Sequence, residues 1–219
     1  FGMHPNADIT KDNNDTEKLL SGLMLTEGGG GGGGGGSTDD KIDAIATDIL
    51  SKLPEDYDME EAAIKYPVRF EESMNTVLCQ ELGKFNKLLR CIRTSLKNIK
   101  KAVKGQIVMS GPLEALGQAL IFAKIPEMWK KAPSYPSLKP VAGYVSDLIE
   151  RCEFFNSWLK DKPPPVYLIF GFFFTQAFVT GAKQNFARKF TIPIDAIEFD
   201  YEIMPKDSYR NPPRDGVYT

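Results

Sequence analysis

Between residues 70 and 104, apolar side chains recur at steps of three and four: Met74, Val77, Leu78, Leu82, Phe85, Leu88, Leu89, Ile92, Leu96, Ile99 and Val103. This spacing predicts one amphipathic helix, about 50 Å long at about 1.5 Å per residue, with Gly105 placed to end it. Shorter stretches carry the same period. Ile42, Ile45, Ala46, Ile49 and Leu53 form one face, with Asp39 or Asp40 as the expected cap and Pro54 as the stop. Leu113, Leu116, Leu120 and Ile121 form another, opened by Ser110 and limited by Pro126. Val141, Tyr144, Val145, Leu148, Ile149, Cys152, Phe155 and Leu159 predict a second long helix that stops at Lys162-Pro163-Pro164-Pro165. The same spacing returns from Phe174 to Phe190, and Leu19, Leu20, Leu23 and Met24 hint at a first helix.

Two stretches read differently. Val166 to Phe170 is a short apolar run of strand composition, and Ala196 to Ile203 alternates, with Ile197, Phe199, Tyr201 and Ile203 against Glu198, Asp200 and Glu202. The fold class expected is therefore α+β: a predominantly helical part with long amphipathic helices, leading into the start of a small β-barrel-like region that is cut short. The expected divisions are an entry segment and first helix at 1–27, a flexible insertion at 28–38, a helical part at 39–165 and a mixed part at 166–219. The insertion holds nine consecutive glycines, Gly28 to Gly36. A phosphate loop would end in Gly-Lys-Ser/Thr, whereas this run ends Ser37-Thr38-Asp39-Asp40, so a linker is the preferred reading. A start at Phe1 and an uncapped end at Val217-Tyr218-Thr219 are what a fragment would show.

Composition narrows the function classes. The protein has 219 residues, 42% hydrophobic and 26% charged, with net charge −2, which favours neither nucleic acid nor a membrane surface as partner. The most apolar run, Val166 to Val179, is broken by Gly171, Thr175 and Gln176 and falls short of the roughly 20 residues needed to span a bilayer. Cys79, Cys91 and Cys152 are odd in number and lack metal-site spacing, so they read as reduced thiols and small core residues. His4 is the sole histidine, which leaves no His-based triad or multi-His metal site. The adjacent acids Glu60-Glu61 and Glu71-Glu72 point apart on a helix and read as solvated charges. No catalytic, cofactor or metal residue is expected.

Two features invite a functional reading. A basic stripe winds along the longest predicted helix: Lys84, Lys87, Arg90, Arg93, Lys97, Lys100, Lys101 and Lys104. It is either a solvated face or an interface with an acidic neighbour in the parent molecule; nucleic acid fits poorly because no aromatic platforms are interleaved. Phe170, Phe172, Phe173, Phe174 and Phe178 crowd together after the prolines, as a buried junction between helices and sheet or, less readily, a ligand pocket. Trp129 and Trp158 read as anchors for helix ends.

Several stretches, taken in order, form one series. It begins with Phe1-Gly2-Met3-His4-Pro5-Asn6-Ala7-Asp8-Ile9. Ser73 to Leu78, Gln80-Glu81 and Phe85 to Leu89 follow, then Lys101 to Gly105 with Val108-Met109-Ser110. Pro126 to Trp129, Ser134 to Pro140, Gly171 to Phe178, Gln184 to Lys189 and Ile192 to Asp195 complete it. The series resembles the C-terminal domain of axonemal dynein heavy chains, and its first stretch is similar to the exit from the lid of the sixth AAA+ module. The glycine run is foreign to that pattern, and Val166 to Phe170 stands where axonemal members more often carry an aromatic-Trp-Leu-Ser run.

The resemblance implies a non-catalytic domain lying across the AAA+ ring of an ATP-driven, minus-end-directed microtubule motor. It implies ATP and Mg in other modules, the ring of the same polypeptide, microtubules and other dynein subunits as partners, and a place in the cytoskeleton of the cilium or flagellum. Two readings from other classes stand beside it: a free-standing helical scaffold using the basic stripe, and a small-molecule enzyme using the aromatic cluster.

Overall fold

A computed structural model of the protein describes residues 38–206 and 209–219. The expected first helix at Leu19 to Met24, the glycine run and His4 lie outside those residues. Among the described residues the polypeptide folds into seven α-helices and two 3-10 turns.

Helix α1 (Thr38–Lys52) buries Ile42, Ala46 and Ile49. Asp39 and Asp40 stand inside its first turn rather than at the cap, where carboxylates still complement the helix dipole. Helix α2 (Met59–Lys65) is capped by Asp58, whose Oδ1 accepts the N–H groups of Glu60 and Glu61 at 2.9 and 3.0 Å. Both glutamates are exposed.

The predicted long helix is α3 (Ser73–Val103), 31 residues and so about 46 Å. It starts three residues after Phe70 because Arg69 and Glu72 bridge in a tight turn and the Glu72 carboxylate caps Met74 N at 3.1 Å. It ends as expected: Gly105, at φ +70°, donates to the Ala102 carbonyl at 2.9 Å while Gln106 donates to that of Lys101 at 2.9 Å, a Schellman closure.

Helices α4 (Gly111–Ile121), α5 (Glu127–Lys131), α6 (Val141–Lys160) and α7 (Thr175–Phe190) follow. All seven contribute to one core, built around the apolar face of α3 from Met74 to Ala102. α1, α2, α4, α5, α6 and α7 each contact α3 directly. Close crossings occur where a side chain is missing: a Cβ on Gly117 of α4 would lie 3.1 Å from Ile42 Cδ1, and one on Gly181 of α7 would lie 3.1 Å from Met74 Sδ.

The β part expected from the sequence does not form among the described residues. Val166 makes a single bridge to Tyr218, and Ile169–Gly171 turns as a 3-10 helix. Ile194–Ala196 is another such turn, and residues 197–204 beyond it form no regular element. Strand propensity alone does not make a sheet: beyond the one bond from Tyr167 N to the Tyr218 carbonyl at 2.8 Å, no ladder forms among the described residues to take up the backbone donors and acceptors. The result is a predominantly helical protein. Tyr201 and Ile203, 92% and 97% exposed, carry the alternation into solvent.

Candidate functional site

The basic stripe divides into two sets. Arg93 and Arg90 turn to the loop before α2: Arg93 Nη1 donates to Asp56 Oδ1 at 2.6 Å and Nη2 to the Pro54 carbonyl at 2.6 Å, while Arg90 Nε donates to Asp56 Oδ2. Burial would raise the Asp56 carboxyl, but the hydrogen bonds and charge of Arg93 and Arg90 hold it below its ordinary value. Lys100 and Lys104 turn to α1, with Asp43 Oδ1 at 3.8 and 3.4 Å. Lys84 pairs with Glu81 at 3.1 Å and lies 5.3 Å from the centre of the Phe174 ring. Lys87, Lys97 and Lys101 are exposed and form no ion pair among the described residues. The stripe is thus partly an internal clasp and partly an unpaired cationic edge.

Among the described residues, four charged or amide side chains buried on α3 and α6 escaped the apolar pattern. Glu81, 1% exposed, accepts the N–H groups of Phe173 and Phe174 at 2.6 and 3.3 Å. A carboxylate from α3 therefore supplies the anion that the N-terminus of α7 lacks within its own segment. Asn86 pairs with the Tyr57 backbone. Asp147 and Arg151 lie one turn apart on α6. Arg151 Nε donates to Asp147 Oδ2 at 2.8 Å, Lys139 Nζ donates to Asp147 Oδ1 at 2.9 Å, and the guanidinium covers the Tyr135 ring at 3.9 Å. Arg151 also donates to the Phe170 carbonyl.

A signal for each was present, since Glu81, Asn86, Asp147 and Arg151 all sit at three- or four-residue steps from core positions. A polar group on a buried stripe needs a partner, but nothing local says which.

Further polar clamps hold the ends of α3 and α6. Ser73 N donates to Asn185 Oδ1 at 2.9 Å, and Arg188 Nη1 donates to Ser73 Oγ at 2.7 Å. The Tyr66 hydroxyl donates to the Trp158 carbonyl at 2.7 Å and that of Tyr57 to the Cys152 carbonyl at 2.9 Å. Lys65 reaches the final carbonyls of α6, 2.5 Å from Lys160 O. Trp129 anchors α5, its Nε1 donating to Ser95 Oγ at 2.8 Å.

The phenylalanine cluster is split. Phe172 and Phe178 are buried and join a series of tilted and edge-to-face rings: Phe85 to Phe155 at 5.1 Å, Phe155 to Phe172 at 5.2 Å, and Phe172 to Phe178 at 4.9 Å. Phe173 meets Phe85 at 4.6 Å. Phe170 and Phe174 are instead 55% and 51% exposed. The buried rings fill the junction between helices with aromatic contacts.

All three cysteines are free thiols. Burial raises each of them, Cys152 up to about 11, so they are poor nucleophiles at neutral pH. Among the described residues no group of three or more His, Cys, Asp or Glu is placed to hold a metal ion. No helix among them is long and apolar enough to cross a membrane.

Comparison with known proteins gives a consistent result. The sequence profile of the C-terminal domain of dynein heavy chains matches residues 13–219. Over all 219 residues the protein is 52% identical to mouse (Mus musculus) dynein axonemal heavy chain 12 and 52% identical to human (Homo sapiens) dynein axonemal heavy chain 3. It is 44% identical to mouse dynein axonemal heavy chain 1, again across its whole length. It spans only 7%, 5% and 5% of the lengths of those three relatives.

Proposed function

This protein belongs to the family of dynein heavy-chain domains that form the C-terminal part of the motor, and from that premise we propose that it is a non-catalytic brace on the AAA+ ring of an axonemal dynein heavy chain. The parent polypeptide is then an ATP-driven, minus-end-directed microtubule motor of the ciliary or flagellar axoneme, with ATP and Mg held in its other modules. The observation that carries this reading is the 52% identity running the full length of the sequence within proteins many times longer. The same observation disfavours a free-standing scaffold.

The geometry supports a mechanical role. α3 is a single 31-residue rod, clasped at its start by Asn185 and Arg188 of α7, in its middle by Asp56 and Tyr57, and near its end by Asp43 of α1. A rod gripped at several points by hydrogen bonds and one continuous core transmits displacement along its length with little bending. Within the basic stripe from Lys84 to Lys104, the edge left unpaired among the described residues, Lys87, Lys97 and Lys101, is the face through which the ring is engaged.

The segment from Ile197 to Met204, with its alternating sequence, is the place where strands of a small β-barrel-like unit add. In this reading the protein divides near residue 165 into a helical part and a mixed part.

The test is replacement of the heavy chain in ciliated cells by one lacking residues 38–219. The expected outcome is axonemes that still bind the arm in an ATP-sensitive way but beat at reduced frequency. Unchanged beating would contradict the reading.

A further inference from the structure

Among the described residues three glycines lie well inside helices, where glycine holds the helix less well than alanine. Two of them have an evident reason. A Cβ at Gly117 would come 3.1 Å from Ile42 Cδ1 and 3.6 Å from Ile99 Cδ1, and one at Gly181 would come 3.1 Å from Met74 Sδ and 3.2 Å from Val77 Cγ2. Both mark helix crossings too close for a side chain. Gly83, in α3, has nothing within 4 Å of the position its Cβ would take. Its helical neighbours Gln80 and Lys87 are exposed, so it forms a notch on the cationic edge.

We propose that Gly83 is a third helix crossing, and that the helix which crosses there is an acidic one from elsewhere in the same heavy chain. This rests on the reading of the protein as a ring-bound domain. The charge pattern sets the chemistry of the occupant. The only carboxylate of α3 is Glu81, and it is turned inward onto Phe173 and Phe174. Outside, Lys87, Lys97 and Lys101 stand without ion pairs among the described residues, and the Arg90 side chain keeps 65% of its exposure despite its bond to Asp56. Half-exposed Phe174, beside Lys84, adds an apolar shoulder.

A helix laid across Gly83 can bring its backbone close, rest an apolar side chain against Phe174, and set Asp or Glu at three- and four-residue steps opposite Lys87 and Arg90. A disordered polyanion would meet the same lysines, but it would have no use for a missing side chain at position 83.

The experiment uses the full-length heavy chain with a photoreactive side chain at position 87 or, as a reference on another surface, at position 201. Cross-linked peptides are identified by mass spectrometry. The expected result is that position 87 captures one acidic helical segment of the same heavy chain. Gly83→Leu should lower that yield by about tenfold, the scale of one lost close contact. The Lys97→Glu/Lys101→Glu pair, on exposed positions that leave the core intact, should lower it as well.

Capture of a different polypeptide, or of the acidic segment with equal yield after Gly83→Leu, would overturn the inference. Capture within the heavy chain from position 201 alone would overturn it too, while leaving the brace on the ring standing. Capture within the heavy chain from neither position would remove both.

Discussion

The side-chain amide of Asn86 closes a ring on the backbone of Tyr57, accepting its N–H at 2.8 Å and donating to its carbonyl at 2.9 Å. A buried residue of α3 thereby completes the hydrogen bonding of a loop 29 positions away. Asn86→Ala leaves both backbone groups without partners and should cost about 1–3 kcal/mol in a urea titration. Asn86→Asp can accept but not donate when ionised, so at neutral pH it should be worse than alanine. A ranking with aspartate the more stable would show that the amide pairing is not what holds the loop.

Leu89 is fully buried on the core face of α3, whereas Lys97 is exposed and unpaired among the described residues. Leu89→Ala should destabilise the protein by about 2–5 kcal/mol, and Lys97→Ala should stay within about 0.5 kcal/mol. Denaturant midpoints at matched slopes decide the order.

Gly83 and Gly181 should respond in opposite directions in the isolated protein. Gly83→Ala gains helix propensity in open space and should stabilise by up to about 1 kcal/mol. Gly181→Val drives a branched side chain toward Met74 and Val77, at a cost of about 1–3 kcal/mol. Thermal melts that moved the same way for both would contradict the placement of α7 across α3.

Asp147 supplies the pH dependence. Burial pushes its carboxyl upward, yet the hydrogen bonds from Lys139 and Arg151, with the charges they carry, leave it below the ordinary value of 3.8. A folded value below the unfolded one means stability that is complete above the unfolded value and lost as pH falls through the folded one. Asp147→Asn leaves the Arg151 guanidinium buried and uncompensated, so it should cost about 3–5 kcal/mol at pH 7. That gap should hold down to pH 3.8 and close below it. A gap independent of pH would mean that the charge of Asp147 contributes nothing.

The helical framework was legible because burial on α3 follows a 3.6-residue period without interruption from Met74 to Ile99, and Gly105 punctuates it in a left-handed conformation that glycine adopts freely. The internal use of the basic stripe was not legible. Arg93 and Lys100 are indistinguishable by spacing from Lys97, and only the fold brings Asp56 and Asp43 to them. The strand-like stretches at Val166 and Ile197 show the converse: alternation describes a segment able to join a sheet, and pairing needs a neighbour that periodicity cannot supply. Phe170 and Phe174 part from Phe172 and Phe178 in a segment that forms a 3-10 turn at Ile169–Gly171 and no regular element from there to Phe174, so no single period assigns their faces.

The brace itself is tested most directly by the coupling of chemistry to movement. Purified heavy chain, with and without residues 38–219, is assayed for microtubule-stimulated ATP hydrolysis and for gliding velocity in the same buffer. The account predicts that hydrolysis continues without the domain while the distance moved per ATP falls. Loss of hydrolysis together with its nucleotide binding, or an unchanged ratio of velocity to turnover, would contradict it.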